Sequence, residues 1–139
     1  MANKKRLDWE IVPSEARDPL WKYHYYVPGV VVSHVKKLIF VSGRSGVRKD
    51  SNGNVLNRGD IVDQTKTAIE RVKDILEPEG ATLDDVVQVT VFLADVKDRA
   101  RHAEIRSQYF KMSPPASTLV GVKLAGEGML VEINAIAVL

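Results

Sequence analysis

The 139-residue chain has no cysteine. That absence removes disulfides, thiolate nucleophiles and cysteine metal sites, and it suits a reducing cytoplasm. No apolar run reaches the ~18 residues of a membrane span. The opening Met-Ala-Asn-Lys-Lys-Arg-Leu-Asp-Trp has no apolar signal-peptide core, so a cytoplasmic protein without a membrane partner is expected. An excess of one charge is also missing. Twenty Lys and Arg stand against 18 Asp and Glu, a net +2 that does not argue for a nucleic-acid partner. His24, His34 and His102 have no metal-ligand spacing, so no metal is expected. Ser-Gly-Arg-Ser-Gly (residues 42–46) lacks the Gly-Lys-Ser/Thr ending of a phosphate loop, and no helix opens directly after it. Nothing near Ser117 supplies a Ser-His-Asp set. Internal repeats and low-complexity segments are absent.

What is present is 45% hydrophobic residues in a length suited to one domain, 1–139. The C-terminal tail organises the rest. Both Leu119–Val122 and Val131–Val138 alternate at period two, which reads as two strands. One face of the last strand is apolar, while the other carries Glu132 and Asn134 beside Ile136 and Val138.

Toward the N-terminus, Lys4–Arg6 reads as a solvated basic tail and Leu7–Val12 as a short first strand. Residues 13–28 hold prolines, Trp21, Tyr23, His24, Tyr25 and Tyr26, and read as an irregular aromatic arm that packs on the domain, lines a pocket or makes a subunit contact. Val30–Val35 and Leu38–Ser42 read as a hairpin about Lys36-Lys37. Asp60 can cap a helix whose stripe is Ile61, Thr65, Ala68, Ile69, Val72, Ile75 and Leu76, with Gln64, Lys66, Glu70, Lys73 and Asp74 on the wet side. Pro78 and Gly80 end it. Thr82 and Asp85 have capping-box spacing. Val86–Leu93 reads as a strand and Asp95–Phe110 as a second helix. Ala103, Arg106, Tyr109 and Phe110 share one face of that helix, and Arg99, Arg101 and His102 are expected on its exposed side. The order β-β-β-α-β-α-β-β predicts a two-layer α+β domain, a mixed β-sheet covered on one face by two helices. The uncovered face would then be buried by self-association.

The stretches Leu-Ile-Phe-Val-Ser-Gly (38–43), Gly-Asp-Ile-Val-Asp-Gln-Thr (59–65), Val-Val-Gln-Val-Thr-Val-Phe-Leu-Ala-Asp (86–95), Pro-Pro-Ala (114–116) and Val-Glu-Ile-Asn-Ala-Ile-Ala (131–137) resemble the Rid/YjgF family of reactive-intermediate deaminases. The resemblance implies a chorismate-mutase-like domain forming a homotrimer with intersubunit pockets. It implies hydrolysis of enamines and imines such as 2-aminoacrylate, with no metal or organic cofactor. Glu132 matches the acid that the family places near the attacking water, and Ser42-Gly43 matches its substrate-binding turn. Three positions depart from the family pattern. Ser117, followed by Thr118, stands where active members carry a carboxylate-gripping arginine; a serine supplies neither its charge nor its fork. Gly29 falls where a tyrosine is usual. In the second helix Ala103 and Arg106 replace an asparagine and a tyrosine. Arg44, Arg48 and Arg106 are candidates to hold an anionic group, Tyr25 or Tyr26 to replace the ring, and Ser117 and Thr118 to donate hydroxyls. Two functions follow: an imine or enamine hydrolase of altered substrate, whose small-molecule ligand could be anionic, or a non-catalytic trimer that binds a small molecule or a partner.

Overall fold

The computed structural model describes residues 2–139. Strand β1, Asn3–Arg6, pairs antiparallel with β2, Val30–Ser33, from Asn3 opposite Ser33 to Arg6 opposite Val30. The basic run is therefore a strand and not a solvated tail. Its alternation turns Lys4 and Arg6 onto the domain. Lys4 Nζ lies 2.5 Å from Asp85 Oδ1, and Arg6 donates to the Pro114, Asp84 and Ser113 carbonyls at 2.8, 3.1 and 3.3 Å. The expected strand at Leu7–Val12 is instead a single tight turn over Trp9–Ile11, capped by Asp8.

The expected hairpin also does not form. β3, Leu38–Ser45, pairs with the last strand and not with β2, whose partner is β1. The Lys36 and Lys37 amides donate to the Leu139 carbonyl at 2.7 and 2.9 Å, so the chain turns against its own C-terminus between the two strands.

α1 spans Ile61–Leu76, with the Asp60 carboxylate accepting from the Asp63 amide at 2.9 Å. Thr65, Ala68, Ile69, Val72 and Leu76 are buried as the stripe predicts, but Ile75 is 43% exposed. Gln64, expected in water, is fully buried. Its amide donates to the Asn57 and Gly128 carbonyls and its oxygen accepts from the Leu130 amide, so its polar atoms are paired inside. The Thr82–Asp85 capping box is formed in full and leads into β4, Val86–Leu93. A tight turn at Val96–Asp98 precedes α2, Arg99–Phe110. His102 is buried against α1, with Nδ1 3.1 Å from Thr65 Oγ1, and not on the exposed side. β5 is Ala116–Gly121 and β6 is Val131–Val138.

The four-stranded sheet has the order β3-β6-β4-β5, parallel between β4 and β5 and antiparallel elsewhere. Both helices cover one face, over a core that includes Ile69, Val72, Leu76, Val89, Val91, Leu93, Ile133 and Ala135. This is the expected two-layer α+β architecture. The other face is bare: Leu38 is 51% exposed, Phe40 69% and Val120 39%. Among the described residues no helix is long and apolar enough to cross a membrane.

Candidate functional site

The expected site residues fall into two clusters on opposite faces of the sheet. The first is on the bare face. β3 pairs with β6 in one register up to Val41–Ala135 and in another from Arg44–Ile133 onward. The extra residue is absorbed at Ser42-Gly43, a bulge that bends the edge strand. Glu132 sits half-buried opposite this bulge. A β-carbon at position 43 would lie 2.3 Å from Glu132 Oε1, so the carboxylate occupies the space that glycine leaves. No described side chain pairs with that carboxylate. Arg44 leaves the same turn, and its Nε donates to the Ser42 and Gly43 carbonyls at 3.2 and 3.0 Å, which fixes the guanidinium base at the bulge. Beside it a cavity of about 300 Å³ is lined by Phe40, Ser42, Gln88, Thr90, Asn134 and Ile136. Thr118 pairs in register with Thr90 and is exposed on this same face. Arg48 is elsewhere, forked onto Asp63 at 3.1 and 2.8 Å.

The second cluster lies on the helix side. Ser117 is in register with the core residue Val89, so it faces inward. It lines a cavity of about 130 Å³ with Asp18, Tyr25, Tyr26, Arg99 and Leu119. Asp18 accepts from the Tyr26 hydroxyl at 2.6 Å, from the Leu20 amide at 2.9 Å and from Arg99. Burial opposes the charge on Asp18, but these donors together hold its carboxyl below the usual range. Burial and the bond to Asp18 push the Tyr26 hydroxyl well above its ordinary pKa, so it remains a proton donor in this contact.

Arg106 is beneath the cavity floor. It is 1% exposed, with its guanidinium carbon 4.9 Å from the Tyr25 ring centre and 5.7 Å from that of Phe110. One nitrogen donates to the Tyr25 carbonyl at 3.4 Å; Nε and Nη1 have no partner among the described residues. Burial pulls its pKa down to about 10, against the opposing influence of the Tyr25 and Tyr26 phenols. Within one protomer, then, the structure brings together Glu132, Ser42 and Gly43, whereas Arg44, next in the chain, is in register with the core residue Ile133. It separately brings together Ser117, Tyr26 and, behind Tyr25, Arg106. Sequence reading missed Asp18 and Arg99. They are 81 residues apart and carry no local motif.

A sheet of order β3-β6-β4-β5 under two helices, with a carboxylate set over an edge bulge, makes a two-layer α+β domain. The family model described as Endoribonuclease L-PSP matches residues 19–139. The chain is 44% identical over 103 residues to a RutC family protein of Pyrococcus abyssi, covering 74% of this chain and 80% of that one. It is 34% identical over 104 residues to the human 2-iminobutanoate/2-iminopropanoate deaminase, covering 75% and 74%. Among solved structures, the Rid-family protein YyfB of Yersinia pestis superposes with a TM-score of 0.74 at 25% identity, covering 99% of both chains. The chain belongs to the Rid/YjgF family, described as Endoribonuclease L-PSP.

Proposed function

We propose that the protein is a homotrimeric hydrolase of small enamines or imines, with Glu132 as the residue that activates water. The observation that carries this reading is the Glu132 carboxylate, half-buried over Gly43 and without a partner among the described residues of its own protomer. A general base needs an unengaged carboxylate held in a fixed place. In the reaction Glu132 takes a proton from water as the water oxygen adds to the imine carbon. The proton passes to nitrogen to give a carbinolamine; a second transfer through Glu132, from its hydroxyl to the amino group, lets the C–N bond break, and ammonia leaves a 2-oxo acid. Arg44 leaves the same bulge, where its Nε is held by the Ser42 and Gly43 carbonyls, and is the candidate anion anchor of the turn. The likeness to the human 2-iminobutanoate/2-iminopropanoate deaminase supports the reaction class.

The trimer is supported by the bare sheet face, where Leu38, Phe40 and Val120 stand in water in a single protomer. Assembly would cover that face and set the Glu132 turn of one protomer against a neighbour. The ligand is a small, polar molecule, and the chain works without metal or organic cofactor in the cytoplasm. A second reading, ligand binding without turnover, is favoured by the closed helix-side cluster, where Asp18 already engages Arg99 and Tyr25 covers Arg106.

The test is ammonia release from freshly generated 2-aminoacrylate and 2-iminobutyrate, with Ser117→Arg beside the wild type. Wild-type acceleration supports the hydrolase. Activity gained only in Ser117→Arg means that Glu132 is competent and the anchor is lost. Inactivity in both gives the binding reading the lead.

A further inference from the structure

The rings in and around the N-terminal arm divide into those that already face a cation and those that do not. Lys22 Nζ is 5.5 Å from the Tyr23 ring centre, and the Arg106 guanidinium faces the rings of Tyr25 and Phe110. Among the described residues no lysine or arginine stands over Trp9, Trp21 or Tyr26. These three line one cavity of about 510 Å³, built from the arm and the residues that follow α2.

Local turns set its walls. Trp9 opens the turn that Asp8 caps, and Trp21 opens another. Trp9 donates its indole N–H to the Tyr26 carbonyl at 3.3 Å, and the two rings meet at 86° with centres 5.1 Å apart. Trp21 and His24 meet at 84° with centres 5.9 Å apart. His24 holds φ 51° and ψ 34°, a left-handed conformation that costs a non-glycine residue energy and that directs its ring back onto Trp21. Two perpendicular pairs make corners and not a flat stack. Trp21 is 40% exposed and Met112, on the same cavity, 89%, so the fold leaves this apolar surface uncovered.

Asp8 and Lys111 bring one formal charge each to the wall. Asp8 Oδ1 accepts from the Glu10 amide at 2.9 Å, and Oδ2 has no partner among the described residues. Lys111 follows the last residue of α2, where its charge complements the helix C-terminus. The two charges cancel, so the rings decide which sign the cavity accepts, and ring faces attract cations. A primary ammonium would bring three N–H donors to a wall with few acceptors, whereas a quaternary ammonium has none to satisfy.

We propose that this cavity binds small quaternary ammonium compounds, with Trp9, Trp21 and Tyr26 as its ring walls and Asp8 as the counter-charge. The volume takes a trimethylammonium head together with the chain attached to it. Ser117, Arg99, Arg106 and the Glu132 turn are not on its wall, so the site stands whether or not the chain hydrolyses imines.

Trp9 and Trp21 are the chain's two tryptophans, so the emission of the wild-type protein reads the cavity directly. Titration with choline chloride, with ionic strength held by sodium chloride, should give a saturable change in emission. The neutral alcohol in which tert-butyl replaces trimethylammonium has the same shape and should bind roughly tenfold more weakly or worse. Calorimetry then compares variants whose circular dichroism matches the wild type. Trp21→Leu, and Asp8→Asn, which keeps an oxygen for the Glu10 amide, should each weaken choline binding by roughly fivefold or more. Lys111→Met removes a like charge and should tighten it by about threefold, whereas an anion site would respond in the opposite sense. No saturable choline binding in the millimolar range, equal affinity for the neutral alcohol, or an affinity indifferent to Trp21 and Asp8 would overturn the proposal. Neither assay reads turnover, so failure here and failure of the Glu132 reading remain distinct.

Discussion

Glu132 occupies the volume that a side chain at Gly43 would fill: a β-carbon there would stand 2.3 Å from Oε1 and 2.8 Å from the carboxyl carbon. The glycine and the acid face each other across the β3–β6 pair. Gly43→Ala should therefore displace the carboxylate without unfolding the protein, because the obstructing atom is the end of a flexible side chain. Expected is a stability change of about 1 kcal/mol or less, with at least tenfold slower turnover. A thermal melt beside an ammonia-release assay separates the two effects. Unaltered turnover would mean that the position of Glu132 is not used.

The pairing of Lys4 with Asp85 ties β1 to the capping box before β4. Burial works against the charge on Asp85, but Lys4 and the Thr82 amide more than offset it and keep its carboxyl below the usual range. Lys4→Met leaves that carboxylate buried with one partner fewer and should cost about 2 kcal/mol. Because a depressed carboxyl stabilises the fold above its unfolded pKa and loses that contribution as pH falls, the difference between Lys4→Met and wild type should shrink in acid. Denaturant melts at pH 7 and pH 3 check both points.

His102 is the acid-sensitive group of the interior. Burial, then the charge of Arg106, lowers its pKa to about 3, so it is neutral in the folded chain at pH 7. The unfolded chain takes up that proton first. Stability is thus full above the unfolded value near 6.5 and declines as pH falls toward 3. Between pH 6.5 and pH 4 the loss from this residue is about 3 kcal/mol. His102→Gln, which can keep a contact to Thr65, should flatten the stability profile over that range; a profile as steep as that of the wild type would contradict the assignment.

Phe40 is 69% exposed on the bare face. Phe40→Asp should convert a trimer into a protomer by sedimentation velocity, with the fold preserved by circular dichroism. A wild type that sediments as a monomer at micromolar concentration would remove the proposed assembly.

The sequence was most legible where one side chain decides one local bond. Val86–Leu93 ends where the valine pattern ends, Asp60 caps α1, and Thr82 and Asp85 close their box. It was least legible where the partner is remote. Lys4 and Arg6 form a strand because Asp85 and the 113–114 carbonyls receive them, and no apolar periodicity announces it. Leu38 follows β2 closely in the chain, yet its strand pairs with residues near the C-terminus. Gln64 and His102 have polar side chains, which read as solvent-facing in the sequence, yet three hydrogen bonds hold the first inside and Thr65 receives the second. At the candidate site Glu132 and the Ser42-Gly43 turn were legible from the family pattern, whereas the Asp18–Arg99 contact required the folded arm.

The most direct measurement is single-turnover ammonia release from 2-iminobutyrate by wild type and Glu132→Gln at equal concentration. Glutamine preserves shape and removes the base. Wild-type acceleration over buffer, falling at least a hundredfold in Glu132→Gln while the variant keeps its fold and assembly, is the result expected of a water-activating Glu132. Equal rates in the two proteins, or no acceleration by the wild type, would contradict it.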